Sequence, residues 1–160
     1  MKESKNPSES RVALTQMMQP EHANPLGNVH GGYVLKMIDE AAGIAAARHA
    51  RKPCVTAEID SVSFRAPVHV GNLVEVEAKV TRSWTTSMEI RAIVTAEDLL
   101  TGVRTTTSVA YLVYVGIDWD GKPTPVPELI PESDDERQMW EMAGLRRDER
   151  LARRERENGR

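Results

Sequence analysis

A single cysteine, Cys54, stands in the 160 residues, so no internal disulfide can form and a reducing, cytoplasmic setting is expected. No apolar run approaches the roughly 20 residues that a membrane-spanning helix needs, so no membrane role is expected. The first ten residues, MKESKNPSES, lack the apolar stretch of a secretory signal. Basic residues are not in excess: 21 Lys and Arg stand against 24 Asp and Glu, a formal charge of −3. Electrostatic capture of nucleic acid or of an anionic membrane is therefore not expected. Also missing are G-x-S-x-G, a P-loop and G-x-G-x-x-G, which removes nucleophile-elbow hydrolases and the common phosphate-cradling turns. The four histidines (His22, His30, His49, His69) have no i,i+4 partner and no cysteine pair beside them, so no metal is expected. Cys54 itself reads as a core or strand-edge residue.

What is present is one α+β domain with extensions. Residues 1–10 are expected to be a disordered arm, 11–131 a folded domain and 132–160 a charged helix. RVALTQMM (11–18) reads as a first strand, ended by Pro20. A helix follows from about Gly31 to Arg48, and the small residues AAGIAAA (41–47) suit a helix closely surrounded by other backbone. VTAEIDSVSF (55–64) alternates loosely, with Val55, Ala57 and Ile59 against Thr56, Glu58 and Asp60. LVEVEAKV (73–80) and SMEIRAIVTA (87–96) alternate cleanly, and the β-branched run 105–117 closes the set. A strand, a long helix and four antiparallel strands predict a helix wrapped by a curved sheet. PTPVPELIP (123–131) is expected to be neither sheet nor helix. Ser133 with Glu136 is a capping-box signature opening the terminal helix. That helix is acidic in its first turn and arginine-rich at its end, which suits the macrodipole of a solvated helix and equally a phosphate-contacting role.

The chemistry concentrates in NPLGNVHGGYVLKMIDEAAG (24–43). A helix N-terminus offers free N–H groups, and glycines there let a ligand approach the backbone. Gly31 and Gly32 could thus stabilise an oxyanion, or simply make a tight turn into the helix. Asp39 on an apolar stretch is a candidate general base or nucleophile if it is buried. Glu40 reads as an exposed helical acid. Gly31 and Asp39 are eight residues apart, about 12 Å along a helix axis. One acyl carbonyl cannot touch both within a chain, so a shared substrate would need two chains around a two-fold axis.

This segment resembles the hotdog-fold acyl-CoA thioesterases, in the group that contains cytosolic acyl-CoA hydrolase and bacterial YciA. FRAPVHVGN (64–72), WTTSMEI (84–90), AEDLLTG (96–102) and DGKPTPVPELIP (120–131) are similar to that group in the same order, so the likeness covers residues 11–131. The resemblance implies hydrolysis of fatty acyl-CoA to free acid and CoA with no added cofactor, CoA being part of substrate and product. It implies that Asn24 orients the thioester or attacking water, that Gly31 with Gly32 forms the oxyanion hole, and that Asp39 is the catalytic carboxylate from the facing subunit. His30 takes a supporting role, and Thr86 and Ser87 match the pantetheine-side loop. A homodimer is the implied catalytic unit, and a trimer of dimers the implied assembly. The arginine-rich tail (Arg146, Arg147, Arg150), followed by Arg65 and Arg82, is expected at the CoA phosphates, because a planar guanidinium donates two parallel hydrogen bonds. A hotdog hydratase or dehydratase would need an Asp–His dyad, and no histidine is spaced for one near Asp39. A non-catalytic acyl-CoA sensor would need a DNA-binding segment, for which the N-terminal arm leaves no room.

Overall fold

The structure, a computed structural model, describes residues 3–159. Its elements in chain order are β1 (Ser4–Lys5), β2 (Val12–Met17), α1 (Gly31–Ala50), β3 (Cys54–Phe64), β4 (Leu73–Ser83), β5 (Ser87–Glu97), β6 (Arg104–Gly116), β7 (Glu128–Leu129) and α2 (Asp134–Asn158). Five of the strands form one antiparallel sheet in the order β2-β4-β5-β6-β3. The sheet curves around α1, which packs against every one of its strands.

The inner face follows the alternation of the sequence. Val74, Val76, Ala78 and Val80 of β4 and Met88, Ile90, Ala92 and Val94 of β5 are fully buried under α1. Each full-sized aliphatic side chain placed there contributes about 1.5–3 kcal/mol. On α1 the buried stripe is Val34, Met37, Ile38, Ala41, Ala42, Ala45 and Ala46, the 3.6-residue period of a core-facing helix. The helix ends at Arg51, whose left-handed backbone (φ 53°) turns the chain toward β3.

β3 departs from the expected pattern. It is an edge strand, bulged at two places in its pairing with β6, and its other edge is unpaired among the described residues. Val55 (45% exposed), Ile59 (40%) and Phe64 (56%) stand open to solvent rather than in the core.

Two further expectations are corrected. Residues 3–10 of the arm are ordered: β1 pairs in parallel with β7, and Pro7 and Ser10 are buried. The Lys5 ammonium donates to the carbonyls of His49 (2.9 Å) and Arg48 (3.3 Å), satisfying the negative C-terminal end of α1. Residues 1 and 2 lie outside the described residues. The proline-rich segment, in turn, supplies a short strand. Its prolines alternate with residues that keep an N–H, and Glu128 and Ile130 use theirs to reach Glu3 and Lys5 (both 2.9 Å).

Helix α2 lies on the outer face of the sheet and is not a solvated appendage. Ser133 caps it, accepting from the Glu136 N–H (3.2 Å), and the Glu136 carboxylate accepts from the Glu132 N–H (2.9 Å). Further along, Ala143 and Arg150 are buried against the strands.

Candidate active site

The first group of candidate residues surrounds the start of α1. Asn24 opens a turn in which its Oδ1 accepts from the N–H groups of Leu26 (2.9 Å) and Asn28 (3.3 Å). This fixes the amide so that its NH₂ remains available. The chain returns through Gly27 (φ 85°) to His30, whose N–H donates to the His22 carbonyl. His22 is buried, stacked on Tyr33 at 3.9 Å, and holds the loop by accepting from the Gln19 N–H. The first helical bonds from Tyr33 and Val34 go to the His30 carbonyl, leaving the N–H groups of Gly31 and Gly32 with no acceptor among the described residues.

Neither glycine has a positive φ, and a Cβ on either would meet at most the Phe64 ring, at 3.6 Å. Folding within the chain therefore does not demand glycine at either position. What glycine provides there is open access to the backbone N–H groups. A cavity of about 350 Å³ opens at this point, lined among others by Asn24, Asn28, Gly31, Phe64, Arg65 and Ser108. His30 is exposed beside it, and its side chain makes no capping bond.

The second group lies two turns along α1. Asp39 is half-buried rather than sealed in the core. Its Oδ1 accepts from the Tyr114 hydroxyl (2.6 Å) and from the Thr56 hydroxyl (2.8 Å). Tyr114 also lies 2.8 Å from the Asp39 carbonyl oxygen. Burial, and next the bond to Asp39, push the Tyr114 phenol far above its ordinary value, so it stays protonated and remains a donor. Oδ2 has no partner among the described residues. The carboxylate borders an open groove of about 540 Å³ lined by Gly43, Ile44, Ala47, Cys54, Thr56 and Tyr114. Glu40 is exposed and pairs with Lys36 (3.3 Å). Burial raises the Cys54 thiol, which keeps it protonated and a poor nucleophile.

Thr56 and Tyr114 were not singled out from the sequence. No local signal marks them, because each reaches Asp39 from a strand, 17 and 75 residues away along the chain.

The arginines divide by partner. Glu89 on β5 is fully buried and accepts two bonds from Arg146 (2.8 and 3.0 Å) and a longer one from Arg150 (3.4 Å). Arg150, 5% exposed, also reaches Asp60 (3.0 Å), and Arg153 and Arg154 meet Glu58. Arg82 stacks on Trp140 at 3.5 Å and donates to its carbonyl (3.2 Å). The guanidinium packs where Gly144 has no side chain, which explains a glycine in mid-helix. Arg82, Arg146 and Arg150, all expected at the CoA phosphates, are thus engaged in docking α2. Arg147 has no carboxylate partner among the described residues. It lies over Trp84 (4.5 Å) and donates to the Ser87 hydroxyl (3.3 Å). Burial and the neighbouring charges of Arg150 and Arg82 lower its pKa. Thr86, Ser87, Arg147, Arg150 and Arg154 share one cavity of about 190 Å³, whereas Arg65 lies in the Gly31 cavity.

Comparison with known proteins fits this layout. Residues 26–103 match the thioesterase superfamily model. The uncharacterized acyl-CoA thioester hydrolase YkhA of Bacillus subtilis is 39% identical over 142 residues, 89% of this chain and 83% of that protein. The chain belongs to the thioesterase superfamily. The cytosolic acyl coenzyme A thioester hydrolase of Rattus norvegicus is 35% identical over 84% of this chain, which spans only 36% of that longer protein. An apo-hexameric acyl-CoA thioesterase superposes with a TM-score of 0.92 at 40% identity, covering 94% of this chain and 97% of its own. The acyl-CoA hydrolase of Staphylococcus aureus, solved with butyryl coenzyme A and coenzyme A, gives 0.90 at 33% identity, with 98% and 95% covered. That enzyme has also been solved with an asparagine, an aspartate or a threonine replaced by alanine. The helix wrapped by an antiparallel sheet is the hotdog fold of these thioesterases.

Proposed function

We propose that this chain, an acyl-CoA thioester hydrolase, releases free acid and CoA from fatty acyl-CoA at a site that two copies build together. One observation carries the reading: the oxyanion-binding N–H groups and the carboxylate occupy separate cavities with no lining residue in common. Each cavity holds half of a hydrolytic site.

Strand β3 supplies the means of joining the halves. It runs from Thr56, bonded to Asp39, to Phe64, packed beside Gly31. Its free edge and its exposed Val55, Ile59 and Phe64 suit pairing with a second copy. Antiparallel pairing of two such edges sets the Thr56 end of one copy against the Phe64 end of the other. The Asp39 of one chain then approaches Gly31 and Asn24 of the other, twice per dimer. Further assembly into a trimer of dimers follows the hexameric neighbours. A cytoplasmic setting accords with the lone thiol and the cytosolic relative.

In this site the Gly31 N–H, supported by Gly32, polarises the thioester carbonyl, and the Asn24 NH₂ orients the thioester or the water. His30 flanks the mouth. Asp39 takes a proton from water as the water oxygen bonds to the carbonyl carbon. The C–S bond then breaks with its electron pair on sulfur, and the thiolate takes the proton held by Asp39, leaving as CoA–SH and restoring the carboxylate. Tyr114 and Thr56 hold Oδ1, so Oδ2 faces the reaction. In the Staphylococcus enzyme the replaced asparagine, aspartate and threonine have the same sequence spacing as Asn24, Asp39 and Thr56 here. No histidine touches Asp39 among the described residues, so the dyad of a hydratase is not supported. For the CoA phosphates we favour the Thr86, Ser87 and Arg147 cavity, with Arg65 at the other. Of the three guanidinium groups there, Arg147 is the one with no carboxylate partner among the described residues.

The test is thiol release from acyl-CoA substrates graded from two to twenty carbons. Turnover that rises into the fatty acyl range is expected. Turnover confined to the shortest acyl groups, or none, would contradict the substrate assignment.

A further inference from the structure

Ser108 is a polar residue in an apolar row. It lies on β6 with the same parity as Ala110, Leu112 and Tyr114, all of which face the core. In register it stands opposite Val94 on one side and Phe64 on the other. The side chain is therefore directed inward, under the first turn of α1. Ser108 is 1% exposed, and its hydroxyl has no hydrogen-bond partner among the described residues. The adjoining Thr107 hydroxyl is paired, donating to the Val94 carbonyl (3.4 Å). An unpaired buried hydroxyl costs folding free energy that alanine would not. Yet Ser108 lines the cavity that contains Asn24 and Gly31, against the Phe64 ring that packs beside Gly31.

We propose that the Ser108 hydroxyl donates a hydrogen bond to the thioester carbonyl oxygen of bound acyl-CoA, from deeper in the cavity than the Gly31 N–H. This rests on the site reading above. An alkyl chain has no acceptor and would leave the hydroxyl unpaired. In the reacting part of a fatty acyl-CoA the carbonyl oxygen is the strong acceptor, and negative charge grows on it as water adds. A donor already in place there strengthens most in the transition state. Ser108 is then a further donor to the oxyanion, beside the Gly31 N–H.

The experiment compares Ser108→Ala with the parent chain in kcat, KM and melting temperature. The expected result is a fall in kcat of roughly 10²-fold with KM little changed. The melting temperature should hold or rise, because the variant no longer buries an unpaired hydroxyl. A purely structural serine would not separate the two readouts in that direction. A kcat within twofold of the parent would overturn the assignment, and so would a joint fall in kcat and melting temperature. Asp39→Asn runs alongside: if it is inactive while Ser108→Ala turns over normally, only the Ser108 assignment fails. If Asp39→Asn is active, the site itself has been misread.

Discussion

Asp39 and Glu89 are both carboxylates on regular elements, and each accepts a hydrogen bond from a threonine hydroxyl, Thr56 at 2.8 Å and Thr81 at 2.7 Å. Their surroundings then diverge. Glu89 is fully buried between the sheet and α2, and two arginines occupy both its oxygens. Among the described residues Asp39 has no cation against it and keeps one oxygen without a partner, and it borders an open groove. The saturated acid fixes a helix to a sheet, and its side chain has no capacity left for chemistry. The half-satisfied acid is oriented by neutral donors and left able to accept a proton. Burial alone would have selected Glu89 as the catalytic group. The accounting of lone pairs favours Asp39, the carboxylate proposed above.

Four substitutions would break or sharpen this contrast. Asp39→Asn should lower kcat by on the order of 10² to 10⁴, with thermal unfolding close to the parent. Near-normal turnover in the folded variant would remove the distinction between the two acids. Glu89→Gln should do the reverse. Leaving Arg146 and Arg150 without their shared counter-charge is expected to cost about 3–5 kcal/mol of stability. Denaturant unfolding reads that directly, and activity per folded molecule below the midpoint should be nearly unchanged.

Tyr114→Phe tests whether orientation of Asp39 matters. Losing a hydrogen bond to a charged group, worth about 1.5–3 kcal/mol, should lower kcat about ten- to a hundredfold if that bond is maintained in the transition state. An unchanged kcat would mean that Thr56 alone holds the carboxylate. Arg147→Gln carries the smallest expected effect. It should raise KM for acyl-CoA severalfold and leave kcat alone, because phosphate contacts distant from the thioester give uniform binding. The rise should vanish with an acyl-pantetheine substrate, and its persistence there would point to a packing role against Trp84.

The inner face of the sheet was legible in the sequence because β4 and β5 alternate strictly, and α1 because its small residues recur at helical spacing. The Ser133 cap was legible for the same reason, being local. β3 was only half legible: its apolar residues look like core, and nothing in a strand's own pattern says that its partner is missing. The N-terminal arm was misread because Lys5 gains its order from the C-terminal carbonyls of α1, a contact that composition does not encode. At the site, the glycines and Asp39 could be found by motif and spacing. The donors that orient Asp39 could not, nor could the carboxylates that claim the tail arginines. Glu58, Asp60 and Glu89 meet those arginines across 57 to 96 residues of chain.

The central claim is that each complete site takes its oxyanion-binding groups from one copy and its carboxylate from another. Mixing inactive Asn24→Ala chains with inactive Asp39→Asn chains, after subunit exchange has been demonstrated, tests it most directly. Random pairing gives mixed dimers with one intact site each, so activity should return to roughly a quarter of the parent value. No recovery in a fully exchanged mixture would show that each chain carries its own complete site.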